Sequence, residues 1–445
     1  MKRGSLVGSL VTQSRTARAL GALTMGTLML AIGGGLGWLA RGRRDEGRAQ
    51  SQVFRWVAPA PRPAPVQLAD AGTVRDPAPE RVAPTMFRGD RLHTGRSGFR
   101  LPERPSVRAT FRTEGRITAQ PVVAPNGTVV VGSHDGVLYG LDPVSATARF
   151  RLQTGDRIYA SAVITPDARV YAGSDADRLF SLDASGHLQW ALATDDDADT
   201  APAIAPDGSL RFAAGRVLYA TETDLTVRWR VRFGGKLFAS PTVLDDGTTL
   251  IGSQDDRLHA IDPSGVERWS YPTGGDVDAT VSVHGDTAYV GSDDGYVHAV
   301  SLRDGQRRWR TRVGGYVRAA IAQGLDGTLV VGTFGPRPAI VALSRIDGQE
   351  RWRIAVPGGP PTAEWGGLSA ALVDRDGRYA IGTPSGQVWL IEPDGTVYFR
   401  VALREPVDTA PVLTADGELV VGSDDGAVYF LSDPGPLVRN GARDR

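Results

Sequence analysis

Cysteine is absent from the 445 residues. Its absence excludes disulfides, thiolate metal centres and cysteine nucleophiles, and with them a lipid-bearing N-terminal cysteine. Asparagine occurs only at Asn126 and Asn440. An excess of one charge is missing too, since 50 Lys and Arg balance 50 Asp and Glu. Binding to a phosphate backbone calls for a basic excess, so nucleic acid is not an expected partner. The six histidines, at 93, 134, 187, 259, 284 and 298, recur at no metal-ligand spacing and are expected at the surface or partly packed. There is no G-x-S-x-G elbow, phosphate-binding loop or H-E-x-x-H pair.

What is abundant is glycine and proline, 55 and 29 residues, the composition of a chain with many tight turns. The N-terminus reads as targeting rather than fold. Residues 1–18 form a basic tail with Lys2, Arg3, Arg15 and Arg18 and no acid. The next 22 residues, 19–40, carry no charge. A helix of that length crosses a hydrocarbon core of roughly 30 Å. Trp38-Leu39-Ala40 is a poor cleavage site, so an uncleaved transmembrane signal anchor is expected, with a cleaved secreted form as the alternative. Arg41, Arg43, Arg44 and Arg48 match the basic residues on the other side, so charge does not fix orientation. Residues 41–85 are rich in Pro and Ala and read as a disordered tether.

From there one unit recurs. Its mark is Gly132-Ser133-His134-Asp135-Gly136-Val137-Leu138-Tyr139, echoed at Gly173, Gly252, Gly291 and Gly422 and in variant form at Ala214, Gly332 and Gly382. The following strand position falls at Leu138, Leu179, Leu218, Leu258, Val297, Ile340, Val388 and Val428, spaced by 41, 39, 40, 39, 43, 48 and 40 residues. Eight copies near forty residues mean a propeller. Each copy reads as four strands, A to D. Asn126-Gly127, Asp207-Gly208, Asp246-Gly247, Asp326-Gly327, Asp376-Gly377 and Asp416-Gly417 are expected to form type I′ A–B turns. Strand D carries Phe150, Trp190, Trp229, Trp269, Trp309, Trp352 and Phe399, rings expected to pack between blades. The eighth copy ends at strand C, and Val107–Arg112, with Phe111 at the aromatic place, supplies its missing strand D. The expected fold is therefore all-β: an eight-bladed β-propeller of four-stranded blades over 86–433, closed by the N-terminal strand. One hydrophobic helix and a Pro/Ala-rich linker precede it, and a polar tail, 434–445, follows.

The Gly-Ser-Asp-Asp-Gly-x-Val-Tyr pattern, the later Gly-x-x-x-Trp, and the lead-in Phe87-Arg88-Gly89-Asp90 with His93-Thr94-Gly95 resemble the PQQ-like β-propeller repeat. The resemblance covers about 86–433. Its relatives include quinoprotein dehydrogenases, the propeller lipoprotein of the outer-membrane β-barrel assembly machinery, and sensor domains of membrane kinases. The dehydrogenases use an adjacent cysteine pair under the quinone and a calcium held by Glu, Asn and Asp. Without cysteine, and with asparagine only in a hairpin turn and after the last blade, that constellation cannot be assembled. Neither catalysis nor a cofactor is expected. The expected role is a membrane-tethered scaffold, anchored in the inner membrane with the propeller exported, that binds envelope proteins. A ligand-sensing or quinoprotein-like, PQQ-binding domain is the alternative.

Two places are marked for binding, both on the face where D–A and B–C loops emerge. The first is an insertion pair in neighbouring blades, with Phe334 and Arg337 in one loop and Glu364 and Trp365 in the other. The second is the channel rim: Arg116, Arg157, Lys236, Asp276, Arg318 and Asp408, with Asp197, Asp199 and Asp278 beside them. Its mixed signs predict a solvated rim. Acidic turns such as Asp293-Asp294-Gly295 and Asp424-Asp425-Gly426 are read as turn chemistry.

Overall fold

The computed structural model describes residues 76–77, 79–335, 337–357 and 368–434. The expected tail, anchor and most of the tether lie outside the described residues, as do Glu364, Trp365 and the chain beyond 434. Among the described residues there is no α-helix, and no helix is long and apolar enough to cross a membrane.

Valine-rich runs bounded by glycine turns make 32 strands, which pair antiparallel into eight four-stranded sheets. Blades 1 to 7 run over 122–153, 163–193, 203–232, 242–272, 282–312, 322–355 and 372–402. Blade 8 takes its inner strands from 412–432. Its fourth strand is Ser106–Arg112, which pairs with Ala427–Ser432 so that Phe111 lies opposite Val428. Phe111, Val428 and Phe430 share one apolar cluster with Val129, Val131 and Tyr139, so the last blade packs on the first.

Burial follows position in the blade. Strand B of blade 4, Thr249–Ser253, is buried throughout, as expected of a strand covered on both faces. The outer strand Thr147–Gln153 alternates between exposed and half-buried residues, the period of a strand with one wet face.

The A–B turns differ from the expected type I′, which needs positive φ at both central residues. In the six Asn-Gly and Asp-Gly turns only the glycine adopts it, at 79° in Gly127 and 77° in Gly327. Gly127 N donates to Ala124 O (2.8 Å), and the Asn126 side chain accepts from Thr128 N (3.0 Å). The Asn or Asp side chain caps the turn in ordinary right-handed backbone, leaving glycine alone to take the left-handed step.

Strand D aromatics tie each blade to the next. Trp229, Trp269, Trp309 and Trp352 donate their indole N–H to Pro263, Leu302, Arg345 and Pro393 O, at 2.8 to 3.3 Å, across the blade boundary. Each ring lies on the glycine of its neighbour's C–D turn. A Cβ on Gly305 would sit 2.8 Å from the Trp269 ring, and its φ of +67° already disfavours a side chain. Trp190 departs from the expected packing. It is 38% exposed beneath the Arg169 guanidinium (4.9 Å), and the next blade has Leu225 where blades 2, 4, 5, 6 and 7 have glycine.

The chain before the first strand is also built in. Pro84, Thr85, Leu92, Thr94 and Gly95 accept from Val123, Ile164, Val283, Gln323 and Val373 N, at 2.7 to 3.0 Å. This lead-in thus pairs with the innermost strands of blades 1, 2, 5, 6 and 7, satisfying edges that would otherwise stay open. Arg88 donates to Ala371 O (2.6 Å), and His93 meets Thr242 Oγ1 (3.0 Å); both side chains are buried. Asp76, inside the span read as tether, is buried between Arg96 (2.5 Å) and Arg345 (2.6 Å). The Asp76 N–H also donates to Leu325 O (2.7 Å), so attachment begins by residue 76.

Candidate functional site

The D–A loops and B–C turns do share a face. They are stitched together by one recurring bond, in which the turn N–H donates to a loop carbonyl. It runs from His134 to Arg116, Asp175 to Arg157, Gln254 to Lys236, Asp293 to Asp276, Phe334 to Tyr316 and Asp424 to Pro406, at 2.8 to 3.0 Å. The loop residue two positions further on turns into the channel. Tyr159, Asp199, Phe238, Asp278, Arg318 and Asp408 occupy this register in six blades and line a cavity of about 280 Å³. Phe87 of the lead-in lies at its other end, packed on Ala320, Ala370 and Ala410.

The expected rim therefore splits into two layers. Arg318 and Asp408 line the cavity, whereas Arg116, Arg157, Lys236 and Asp276 stay at the mouth. Arg116 pairs with Asp424, and Lys236 with Asp196 at 3.8 Å. Nor is the inner layer the solvated rim that mixed signs predicted. Burial pushes the Asp408 carboxyl up to about 7, with Asp424 adding to the rise and Arg116 opposing it. Burial likewise lifts Asp278 to about 6 against the pull of Arg318, and it raises Asp199 and Asp175. The Oδ1 atoms of Asp199, Asp278 and Asp408 are buried without a hydrogen-bond partner.

Of the expected loop cluster, Phe334 and Arg337 are described and Arg337 is exposed; Glu364 and Trp365 fall outside. Phe334 and Tyr316 form an antiparallel bridge with their rings stacked at 6.3 Å. The Arg318 guanidinium lies 5.4 Å from the Tyr316 ring and 5.6 Å from that of Phe334, while Arg318 Nη2 grips Asp293 at 2.6 Å. Tyr316, Tyr159 and Phe238 are 45%, 37% and 40% exposed. Sequence reasoning missed these three. The forty-residue register that located the strand D rings would have found them, because Tyr159 and Phe238 hold the place of Arg318, and Tyr316 holds that of Lys236 and Asp276.

The acidic turns spend their second aspartate on structure. Asp294 caps Tyr296 N (3.0 Å) and meets His298 Nε2 (3.0 Å), and Asp425 caps Ala427 N (3.1 Å) and accepts from Tyr429 Oη (2.6 Å). Asp255 meets His259 Nε2 in the same way at 3.1 Å. His259 and His298 are therefore buried parts of a repeated contact, not surface residues. Three triads among the described residues, Asp175–Asp197–Asp199, Asp177–Asp196–Asp197 and Asp276–Asp278–Asp293, bring carboxylate oxygens within 4.8 Å of one another.

The family model described as outer membrane protein assembly factor BamB, PQQ_2, matches residues 94–228, 213–376 and 337–435. The chain belongs to this family. A curated BamB from Moranella endobia (strain PCIT) is 27% identical over 236 residues, 50% of this chain and 58% of that protein. The chain thus spans little more than half the length of that relative. Crystallised BamB from Moraxella catarrhalis superposes with a TM-score of 0.61 at 18% identity, over 74% of this chain and all of that one. Quinohemoprotein alcohol dehydrogenase from Comamonas testosteroni gives 0.68 at 12% identity, over 79% and 81% of the two chains. A europium-containing methanol dehydrogenase gives 0.65 at 12%, over 80% and 98%. At these identities the likeness is one of fold.

The quinone chemistry of such dehydrogenases does not fit the residues present. The sequence has no cysteine, and the described cavity lining has neither Asn nor Glu to complete a calcium set beside an aspartate. Asn126 is spent on its hairpin turn.

Proposed function

We propose that this BamB-family propeller is a non-catalytic scaffold of envelope protein assembly that docks a partner protein on the channel-mouth face. In this reading residues 19–40 anchor the chain in the inner membrane and the propeller is exported. The observation that carries the docking face is the set of exposed rings around the mouth, Tyr159, Phe238 and Tyr316, joined by Phe334 and Arg318. Aromatic and arginine side chains held on rigid loops are the composition of interface hot spots. The matched relatives bear the name of an outer membrane protein assembly factor, which indicates the class of partner.

A photocrosslinking residue at Phe334, in intact cells, tests this. The expected adduct is with a component of β-barrel assembly, with none from the same crosslinker at Leu188 on the outer edge. Equal adducts from both positions, or none from Phe334, count against the docking face. Turnover of an artificial electron acceptor after adding PQQ and calcium would overturn the non-catalytic reading and restore the quinoprotein-like alternative.

A further inference from the structure

We propose that the channel cavity is a receptor for one organic cation, the ammonium or guanidinium head of a Lys or Arg side chain presented by the docked partner. The inference rests on the docking face proposed above and gives it a chemical specificity. Around the cavity the loop register reads aromatic, acid, aromatic, acid from blade 2 to blade 5: Tyr159, Asp199, Phe238, Asp278. Asp408 faces in from blade 8. Phe87, packed on Ala320, Ala370 and Ala410, supplies an apolar wall.

Charge bookkeeping inside is unbalanced. Three carboxyls line the cavity against one cation, and that cation, Arg318, is already held by Asp293 through Nε at 3.0 Å and Nη2 at 2.6 Å. One oxygen on each of Asp199, Asp278 and Asp408 is buried with no donor, and the Asp408 carboxyl is deeply enclosed. A buried acceptor left unsatisfied is costly, and the fold holds three around one space. Burial lifts the proton affinity of all three groups by disfavouring their ionised forms, a cost that a cation placed among them would offset.

A metal ion is the wrong shape for this demand. The mouth triads that gather oxygens within 4.8 Å do not include Asp408, and Asp199 and Asp278 belong to different triads. Acceptors spread around a ring suit a head with several N–H donors, three on an ammonium or five on a guanidinium. A hydrocarbon stem would lie against Tyr159 and Phe238, whose ring faces favour the cation. The volume, about 280 Å³, falls just below the usual range of ligand pockets, so it takes a side chain or small amine rather than a cofactor.

The test is calorimetric titration of the detergent-solubilised full chain with four probes. These are acetyl-Gly-Lys-Gly-amide, acetyl-Gly-Arg-Gly-amide, the neutral acetyl-Gly-Gln-Gly-amide, and spermidine as a free amine. Binding of the Lys or Arg peptide but not the Gln peptide, weakened at least tenfold by Asp408→Asn and unchanged by the outer-turn Asp224→Asn, is the expected result. Thermal melting of Asp408→Asn should show no loss of fold. Spermidine binding without either cationic peptide overturns the side-chain source in favour of a small amine. No binding, or binding indifferent to Asp408→Asn, overturns the receptor itself. Crosslinking at Phe334 reads the docking face independently: adducts without cation binding remove only the cavity inference, and cation binding without adducts removes only the docking reading.

Discussion

Gly305 and Trp269 offer a sharp check on how blades are joined. Gly305→Ala adds two separable costs. The left-handed φ of +67° costs about 1–2 kcal/mol for a residue with a Cβ. The new Cβ also lands 2.8 Å from the Trp269 ring, and overpacking of that kind costs about 1–3 kcal/mol. Gly208→Ala isolates the first cost, since its φ is +81° and nothing lies within 4 Å of the added atom. Trp269→Ala loses the ring and leaves Leu302 O without its indole donor, for about 3–5 kcal/mol. In the double variant the ring is gone, so Gly305→Ala should cost no more than Gly208→Ala. The expected coupling is about 1–3 kcal/mol, read by urea unfolding followed by far-UV circular dichroism on the unmutated protein and all four variants. Additive costs, or a Gly305→Ala no worse than Gly208→Ala, would refute the idea that ring and glycine form one joint.

Three further outcomes follow from buried charges and from the ends of the fold. Burial, with Arg88 adding to it, holds His93 down to about 3, whereas an unfolded imidazole takes a proton near 6.5. Stability present above pH 6.5 should therefore fall as pH drops toward 3, by up to about 1.4 kcal/mol per unit, and His93→Gln should flatten that slope. The raised carboxyl of Asp408 works in the opposite sense: stability present below its unfolded value near 3.8 is lost as pH rises through about 7. Asp408→Asn should thus gain up to about 4 kcal/mol at pH 8 and nothing at pH 4, and equal unfolding midpoints at both would contradict the burial. Deleting 1–75 should leave the melting temperature unchanged. Deleting 1–85 should lower it through loss of the Asp76 ion pairs and the Pro84 and Thr85 bonds, and deleting 1–114 should cause aggregation by baring an edge of blade 8.

The architecture was legible because its signals repeat. One Gly-Ser turn means little, but eight at a spacing near forty set the blade count, and Phe111 falling 39 residues before Phe150 placed the N-terminal strand. Turn geometry was less legible. Asn-Gly and Asp-Gly suit two hairpin types, and what distinguishes them is the backbone of the residue before the glycine, right-handed at Asn126 with its side chain capping Thr128 N. The rim was half legible. Counting charges found Arg318 and Asp408, but no count shows that the loops turn inward two residues later and carry Asp408 out of water. The lead-in was legible as a motif, Phe87-Arg88-Gly89-Asp90 with His93-Thr94-Gly95, but its pairing with the inner strands was not, because those bonds are made by backbone carbonyls, which leave no trace in residue type.

The pairing of Arg112 with Ala427 joins positions 315 residues apart. A ribosome delivers the first of them long before the second exists. Blades 1 to 7 draw their strands from contiguous chain and can assemble as it emerges, whereas residues 106–112 must wait for the last sheet to be made. The lead-in waits as well, since its partners are spread from blade 1 to blade 7. Final locking is thus a post-synthetic event with a large loop to close, slow by its topology rather than by any single contact. During that interval both an unpaired strand and an unpaired sheet edge are on offer to other chains, so the vulnerable state of this protein is the finished polypeptide with its ends not yet joined.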